Sequence, residues 1–307
     1  MGTFIANRLL QAIPVFFGST FVIYALVFLL PGDPIQAMAG TQRLPEAVIQ
    51  AQHERYNLGD PFLVQYGKYI GGVLSGDLGE SFARRDVSAI IGESIPVTLR
   101  LTFVAVFIQS VFGIFAGMIA ALRKDSWIDS LVLVSTTAVI SVPVFVIAYV
   151  VQLGIGAQVD WLPISGTRDG WLSFLLPGFV LASTSMAYVA RLLRSSLTES
   201  LQADYVRTAT AKGLQRSRVV TRHALRNSMI GVVTFIGIDI GALMGGAIVT
   251  EGVFGLNGLG GAIFEAIEEQ DTPIVVGIVT FLVLVFIVVN LVVDLLYGVL
   301  DPRVRHG

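Results

Sequence analysis

The sequence predicts an all-α membrane protein of six transmembrane helices with both termini in the cytoplasm. Three observations predict it: composition, the length of the apolar runs, and the distribution of Lys and Arg. The chain has 307 residues, 54% of them hydrophobic and only 14% charged. Soluble domains carry about 25% charged residues because their surfaces face water. The excess apolar surface must therefore face lipid, which places the chain in a cell membrane as a multi-pass protein.

Each span follows from bilayer thickness. A hydrocarbon core of about 30 Å needs about 20 apolar residues at roughly 1.5 Å rise each. Six stretches reach that length: Leu9–Leu30, Leu101–Leu122, Leu131–Leu153, Trp171–Ala190, Met229–Thr250 and Ile274–Val299. The first follows Arg8 and precedes Ala37-Met38-Ala39, which resembles a signal cleavage site. Its apolar core is too long for a signal peptide, so an uncleaved anchor is expected. With the N-terminus inside, 13 Lys and Arg fall on the cytoplasmic side and 6 on the other, Arg100 lying at a membrane edge. That asymmetry fixes the orientation.

The chain divides into a first transmembrane helix (1–30), an extracytoplasmic cap segment (31–98) and a five-helix core (99–307) containing a cytoplasmic loop (191–227). The cap holds two helix-like stretches, one from Pro45 toward Asn57 and one from Phe62 to Leu74. The outer loop from Glu251 to Pro273 carries five acids and no base, is rich in glycine, and reads as a re-entrant turn or short helix pair. Pro143 predicts a kink in the third span, and Gly241-Ala242 with Gly245-Gly246 a close helix approach.

Several chemistries are excluded. There is no cysteine, hence no disulfide, thiolate zinc site or catalytic Cys, and the histidines (His53, His223, His306) are scattered. No catalytic residue, metal site or bound cofactor is expected, and the net charge of −2 gives no ground for a nucleic-acid partner. None of the three lysines (Lys68, Lys124, Lys212) follows a glycine and precedes Ser or Thr, so no phosphate-cradling loop is visible.

Within the cytoplasmic loop, Ala203 to Gly213 reads ADYVRTATAKG. Asp204 near the start and Lys212 near the end suit a helix dipole, and Gly213 suits the left-handed residue that closes a helix. The surface is mostly small: Ala203, Thr208, Ala209, Thr210 and Ala211, with Tyr205 as the one large side chain beside Val206 and Arg207. One reading is a helix lying in the headgroup layer through Arg207, Arg216 and Arg218. Such a helix should carry a stripe of Leu, Phe or Trp, and only Tyr205 and Val206 are available. Docking against a protein surface fits the small side chains better.

This loop resembles the cytoplasmic coupling loop of ABC-importer permeases, whose general pattern is Glu-Ala-Ala, three residues, Gly, nine residues, then Ile-x-Leu-Pro. Aligned on Gly213, only Ala209, Gly213 and Leu225 match. The peptide-permease version, Asp-Tyr-x-Arg-Thr-Ala-x-Ala-Lys-Gly, is met by Asp204, Tyr205, Arg207, Thr208, Ala209, Ala211, Lys212 and Gly213. Further similar motifs follow in order: Pro31-Gly32-Asp33-Pro34, Gly76-Asp77-Leu78-Gly79-Glu80-Ser81, Leu162-Pro163-Ile164-Ser165-Gly166, Arg191 through Ser196, Glu251-Gly252-Val253-Phe254, Asn257-Gly258-Leu259-Gly260 and Asp301-Pro302-Arg303-Val304-Arg305. The chain resembles the dipeptide and oligopeptide permease B subunits over nearly its whole length, and is most similar to those of actinobacteria.

The resemblance implies a type I ABC-importer permease that forms half of a translocation pathway. Its implied partners are a second homologous permease, two ATP-binding subunits or one fused ATPase, and an extracytoplasmic solute-binding protein, with ATP and Mg held by the ATPases. Residues 203–213 would be the ATPase-docking helix, and the cap with the acidic loop would meet the binding protein. Peptide-type permeases as a family also carry haem, glutathione and nickel complexes, so the solute stays open.

Two acids sit within spans, where charge is costly. Asp239 reads either as a pathway-lining group, with Met244 beside it as a second lining residue, or as a structural polar contact or a protonated carboxyl. Asp294, one turn from Asn290, reads as a structural hydrogen bond. Two rival classes also remain: a self-sufficient secondary transporter, for which only Asp239 qualifies as a midplane acid and no repeat is visible, and a membrane enzyme, for which no nucleophile–base pair is visible.

Overall fold

The computed structural model describes residues 2–28, 35–36 and 45–300, with side chains described between residues 6 and 295. The Pro31–Pro34 and Asp301–Arg305 motifs lie outside the described residues. The described chain is helical throughout its long elements: α1 (Gly2–Phe28), α2 (Glu46–Arg55), α3 (Phe62–Leu74), α4 (Val87–Leu122), α5 (Trp127–Ser141), α6 (Val144–Gly154), α7 (Leu175–Gln202), α8 (Asp204–Ala211), α9 (Arg216–Phe254), α10 (Leu259–Glu268) and α11 (Thr272–Leu300). Among the described residues, five helices are long and apolar enough to cross a membrane, and there are six crossings if the bent pair α5–α6 counts as one span.

That bent pair carries the kink expected at Pro143 in the third span further than a kink. The stretch Leu131–Leu153 is not one helix: the axes on either side of Val142-Pro143 differ by 106°. Pro143 has no N–H to give the preceding turn and pushes Val142 out of the helical region, and Val142 is extended at φ −96°, ψ 128°. The expected kink is a full break. α4 also begins earlier than the apolar run suggests. The Asp86 carboxylate accepts from the Ser88 N–H to start it, and Val87, Ile90 and Ile91 supply a buried face upstream of residue 98.

α7 is the central helix, touching α4, α5, α6 and α9. Its seam with α4 depends on small residues. A Cβ on Gly113 would meet Val189 at 2.8 Å, so only glycine permits the approach. Of the glycines expected to bring helices together in the fifth span, Gly241 does so, its missing Cβ leaving room for Phe286 of α11, while Gly245 faces open space. α1 stands to the side against α11, and the cap helix α3 covers both through Phe16, Ile70 and Val73.

The cap is pinned at two points. Tyr69 of α3 donates to the Thr280 hydroxyl of α11 at 2.8 Å. The Phe82 N–H donates to the buried Asp271 carboxylate at 3.2 Å. Burial pushes the Asp271 carboxyl above its ordinary range, against the opposing hydrogen bonds from Phe82 and Ser81. Pro45, expected as a first helical residue, is instead the residue just before α2.

Candidate functional site: a docking helix below the membrane core

Residues 203–213 fold as expected into a short helix. Ala203 is extended, α8 runs from Asp204 to Ala211, and Lys212 ends it. Gly213 then takes φ +76°. The Gly213 N–H donates to the Thr210 carbonyl at 3.0 Å and the Leu214 N–H to the Ala209 carbonyl at 3.4 Å. Those two bonds are a Schellman closure, which requires a left-handed residue at this position. The Thr208 and Thr210 hydroxyls donate to the Asp204 and Val206 carbonyls, each at 2.9 Å, so neither seeks a partner outside the helix.

The seating of α8 differs in one respect from the sequence reading. Ala209, expected on the outer surface, faces inward with Val206, each 6% exposed. These two residues sit in an apolar cluster with Leu193 and Leu197 of α7 and Val219, Ala224 and Val232 of α9. The spacing of three places both on one face of the helix. The remaining residues of the stretch from Asp204 to Gly213 are exposed: Asp204, Tyr205, Arg207, Thr208, Thr210, Ala211, Lys212 and Gly213. That outer face presents one large side chain, Tyr205, whose hydroxyl accepts from the Asn227 amide at 3.4 Å. It lacks the Leu or Phe stripe that burial in lipid requires. Arg216, Arg218, Arg222 and Arg226 are exposed beside it.

Sequence reasoning missed what ties this region to the membrane core. The Ser228 hydroxyl donates to Ser200 at 2.9 Å, joining α9 to the end of α7 in a buried position. Arg194 of α7 holds Asp129 of α5 through two hydrogen bonds at 2.6 and 2.7 Å. A seven-residue π-helical stretch, Val219–Leu225, lies between α8 and the straight part of α9.

In the segment from residue 251 to 273, two of the five acids are interior. Glu251 is the last-turn residue of α9, fully buried, and accepts from the Thr98 hydroxyl at 2.8 Å and the Gly261 N–H at 2.9 Å. The Thr98 oxygen accepts in turn from the Leu259 N–H at 2.8 Å, so a two-residue relay caps the start of α10. Glu265, Glu268 and Glu269 are exposed on α10 and its end. Met244 is packed with Val87, Ile91, Leu259 and Ile278. Asp239 is half-buried and faces Ser185 and Gln109. Asp294 does not bond Asn290: it pairs with Arg8 of α1 at 3.2 Å, and the Asn290 amide donates to the Phe286 carbonyl. No group of three or more metal-ligating side chains occurs among the described residues.

Comparison with known proteins gives this architecture a family. Residues 113–306 match the family described as binding-protein-dependent transport system inner membrane component, and residues 1–102 match its N-terminal companion. The chain is 38% identical to the di/tripeptide transport system permease protein DppB of Pseudomonas aeruginosa, covering 100% of this chain and 99% of that one. It is 39% identical to the dipeptide transport system permease protein DppB of Haemophilus influenzae over 100% of both chains. It is 37% identical to the glutathione transport system permease protein GsiC of Escherichia coli, again over 100% of both. A crystal structure titled as an amino acid ABC transporter with histidines superposes with a TM-score of 0.50 at 18% identity, covering 70% of this chain and 94% of that one, and shares the fold. With full-length relatives above the threshold of common descent and apolar helices that span a membrane, this chain belongs to the inner-membrane permease components of binding-protein-dependent ABC transport systems.

Proposed function

We propose that this chain forms one half of the translocation pathway of an ATP-driven importer for dipeptides or oligopeptides. A second homologous permease supplies the other half. Two ATP-binding subunits, or one fused ATPase, hold ATP and Mg at the cytoplasmic face, where both termini of this chain lie. The relatives at 36–39% identity are named for dipeptides, di/tripeptides and glutathione, and all of these are peptides. That shared chemistry supports the peptide class over other solutes of such systems.

The observation that carries the mechanism is the seating of α8. Two residues, Val206 and Ala209, anchor it to α7 and α9, while the opposite face is exposed, small and polar. A helix held from one side and bare on the other transmits a push on its bare face into the helices that hold it. In this reading, closure of the ATPases moves α8 and, through α7 and α9, changes which side of the pathway is open. The cap and the exposed acids Glu265, Glu268 and Glu269 receive the solute-binding protein outside. Asp239 keeps an exposed edge and fits a pathway-lining role. Met244 fits that role only in a state where its cluster with α4, α10 and α11 opens.

Gly213→Val tests the docking helix. The left-handed backbone is strained by about 1–2 kcal/mol for a residue with a Cβ, more for a β-branched one. Peptide uptake by the reconstituted complex should be lost while membrane insertion stays normal. Undiminished ATP-driven uptake by that variant would remove the docking role of this segment.

A further inference from the structure

A cavity of about 590 Å³ lies where α1 ends and α11 begins, walled by α3, the end of α2 and the loop 77–86. Tyr24 and Phe28 line it from the last two turns of α1, and Pro273 and Val276 from the first two turns of α11. Both helices are long and apolar enough to span a membrane. The cavity therefore stands at the level where hydrocarbon gives way to lipid headgroups. Beside it, α3 packs along α1, the Tyr66 hydroxyl donating to the Phe17 carbonyl at 3.0 Å. α3 leaves Leu63 70% and Leu74 71% exposed, and Phe17 and Phe21 of α1 are partly exposed as well. Apolar surface thus continues from the membrane-spanning part of α1 up to the cavity.

The lining carries both signs of charge in balance, Arg55, Lys68 and Arg84 against Asp77, Glu80 and Asp86. Two of the bases are neutralised within the protein, Arg55 by Glu80 and Lys68 by Asp60 at 2.6 Å. Among the described residues Arg84, Asp77 and Asp86 make no ion pair. Each of these two acids accepts one backbone N–H, from Gly79 and Ser88 respectively, both at 2.8 Å, which leaves its second oxygen for a ligand. Glu80 and Asp86 face each other across a single antiparallel bridge, and Arg84 sits in the turn between them. Its φ is +63°, and Asn57, which also lines the cavity, has φ +54°. Residues with a Cβ rarely adopt that backbone, and those that do cluster at functional sites such as ligand clamps.

We propose that this cavity holds the headgroup of a phospholipid that carries a primary ammonium beside its phosphate, as phosphatidylethanolamine does. The planar guanidinium of Arg84 suits a phosphate. The three N–H donors of an ammonium find acceptors in the second oxygens of Asp77 and Asp86. Tyr24 and Tyr69, stacked at 5.2 Å, add the aromatic surface that sits well at a headgroup layer. The acyl chains run along the apolar surface of α1 and α3. A phosphatidylglycerol headgroup brings no cation to the two acids, and a choline headgroup brings a cation without an N–H. The site lies apart from the docking helix and from Asp239, and it holds whatever solute the transporter carries.

The test uses the complete transporter complex in detergent, stripped of lipid. Phosphatidylethanolamine, phosphatidylcholine or phosphatidylglycerol is added back and thermal unfolding is followed. A saturable rise of several degrees is expected with phosphatidylethanolamine, as ligand binding to the folded state requires, at concentrations several-fold below those the other two need. Arg84→Asn, which tolerates the left-handed backbone, should weaken the response to phosphatidylethanolamine several-fold. Asp86→Asn keeps a side chain able to cap α4 and removes the charge, so it should erase the preference for the ammonium lipid. Equal responses to the three lipids in the wild type, or an equal response of wild type and Arg84→Asn to phosphatidylethanolamine, overturn the proposal. So does a rise with glycerophosphoethanolamine or a dipeptide and none with the lipid, which would place a soluble zwitterion in the cavity.

Discussion

Arg194 on α7 reaches Asp129 on α5 in a two-point grip, Nε to Oδ1 at 2.6 Å and Nη2 to Oδ2 at 2.7 Å. The Asp129 side chain is 4% exposed and that of Arg194 22%, so water screens the pair little. Its planar fork is specific to arginine. The carboxylate also accepts from the Asp125 N–H at 3.0 Å, which fastens the turn between α4 and α5.

Removing one partner of this pair should therefore cost more than removing both. Asp129→Ala leaves a half-buried guanidinium unpaired, at about 1–3 kcal/mol, below the figure for a fully buried pair because Arg194 keeps some contact with water. The double variant Asp129→Ala/Arg194→Ala should recover part of that loss. Arg194→Lys should behave like a partial deletion, since it offers one point charge. A double-mutant cycle on thermal unfolding of the solubilised protein measures the coupling. Additive single and double effects would show the pair to be idle.

Glu251→Ala strands the Thr98 hydroxyl and the Gly261 N–H in a dry site. The expected cost is about 2–4 kcal/mol, from two unmet groups at roughly 1–2 kcal/mol each. The loss should be local: α10 detaches from α4 and α9 before the membrane helices separate. Protease cleavage within residues 255–270 should rise several-fold in the variant while cleavage within residues 203–227 stays unchanged. Glu251→Gln, which keeps an oxygen for one of the two donors, should fall between.

Asp271 gives the attachment of the 81–86 loop a pH dependence with a definite sign. Burial raises its carboxyl pKa in the folded state relative to the unfolded chain. Such a group binds its proton more tightly when folded, so it adds stability as pH falls through its folded-state pKa and withdraws it as pH rises above. The attachment of the 81–86 loop to α11 should tighten in mild acid and loosen toward neutral pH. Asp271→Asn should flatten that dependence. Hydrogen exchange of the Phe82 amide across this range reads it directly; identical profiles in wild type and variant would count against it.

Pro143→Ala should let the backbone N–H of residue 143 rejoin the helix and release Val142 from its extended conformation. Straightening α5 and α6 would pull Ala148 and Val151 out of the cluster they form with α4, α7 and α9. A loss of thermal stability is expected in place of the gain that proline removal from a helix usually brings. Increased stability would mean that the bend is tolerated and unneeded.

The membrane helices were legible because a span is a local property: about 20 apolar residues suffice to declare one. So was the closure of α8 at Gly213, where a short sequence and a backbone rule agree. What escaped the sequence depended on partners far along the chain. Asp294 sits one turn from Asn290, yet its partner is Arg8, at the other end of the polypeptide. Glu251 reads as loop charge in the sequence, and its partner Thr98 stands 153 residues away. Alanine carries no signal of its own, so the inward face of Ala209 shows only with α7 and α9 in place. Gln109 lies inside an apolar run and gave no warning, since the groups opposite it come from two other helices.

The π-helical stretch Val219–Leu225 lies between α8 and the straight run of α9. A π turn holds one more residue than an α turn, so a helix can shorten or lengthen such a stretch and stay continuous. Each residue taken up or released re-phases everything downstream by about 100° about the helix axis. A displacement at α8 can thus emerge farther along the chain as a rotation that presents a different side of α9 to its neighbours.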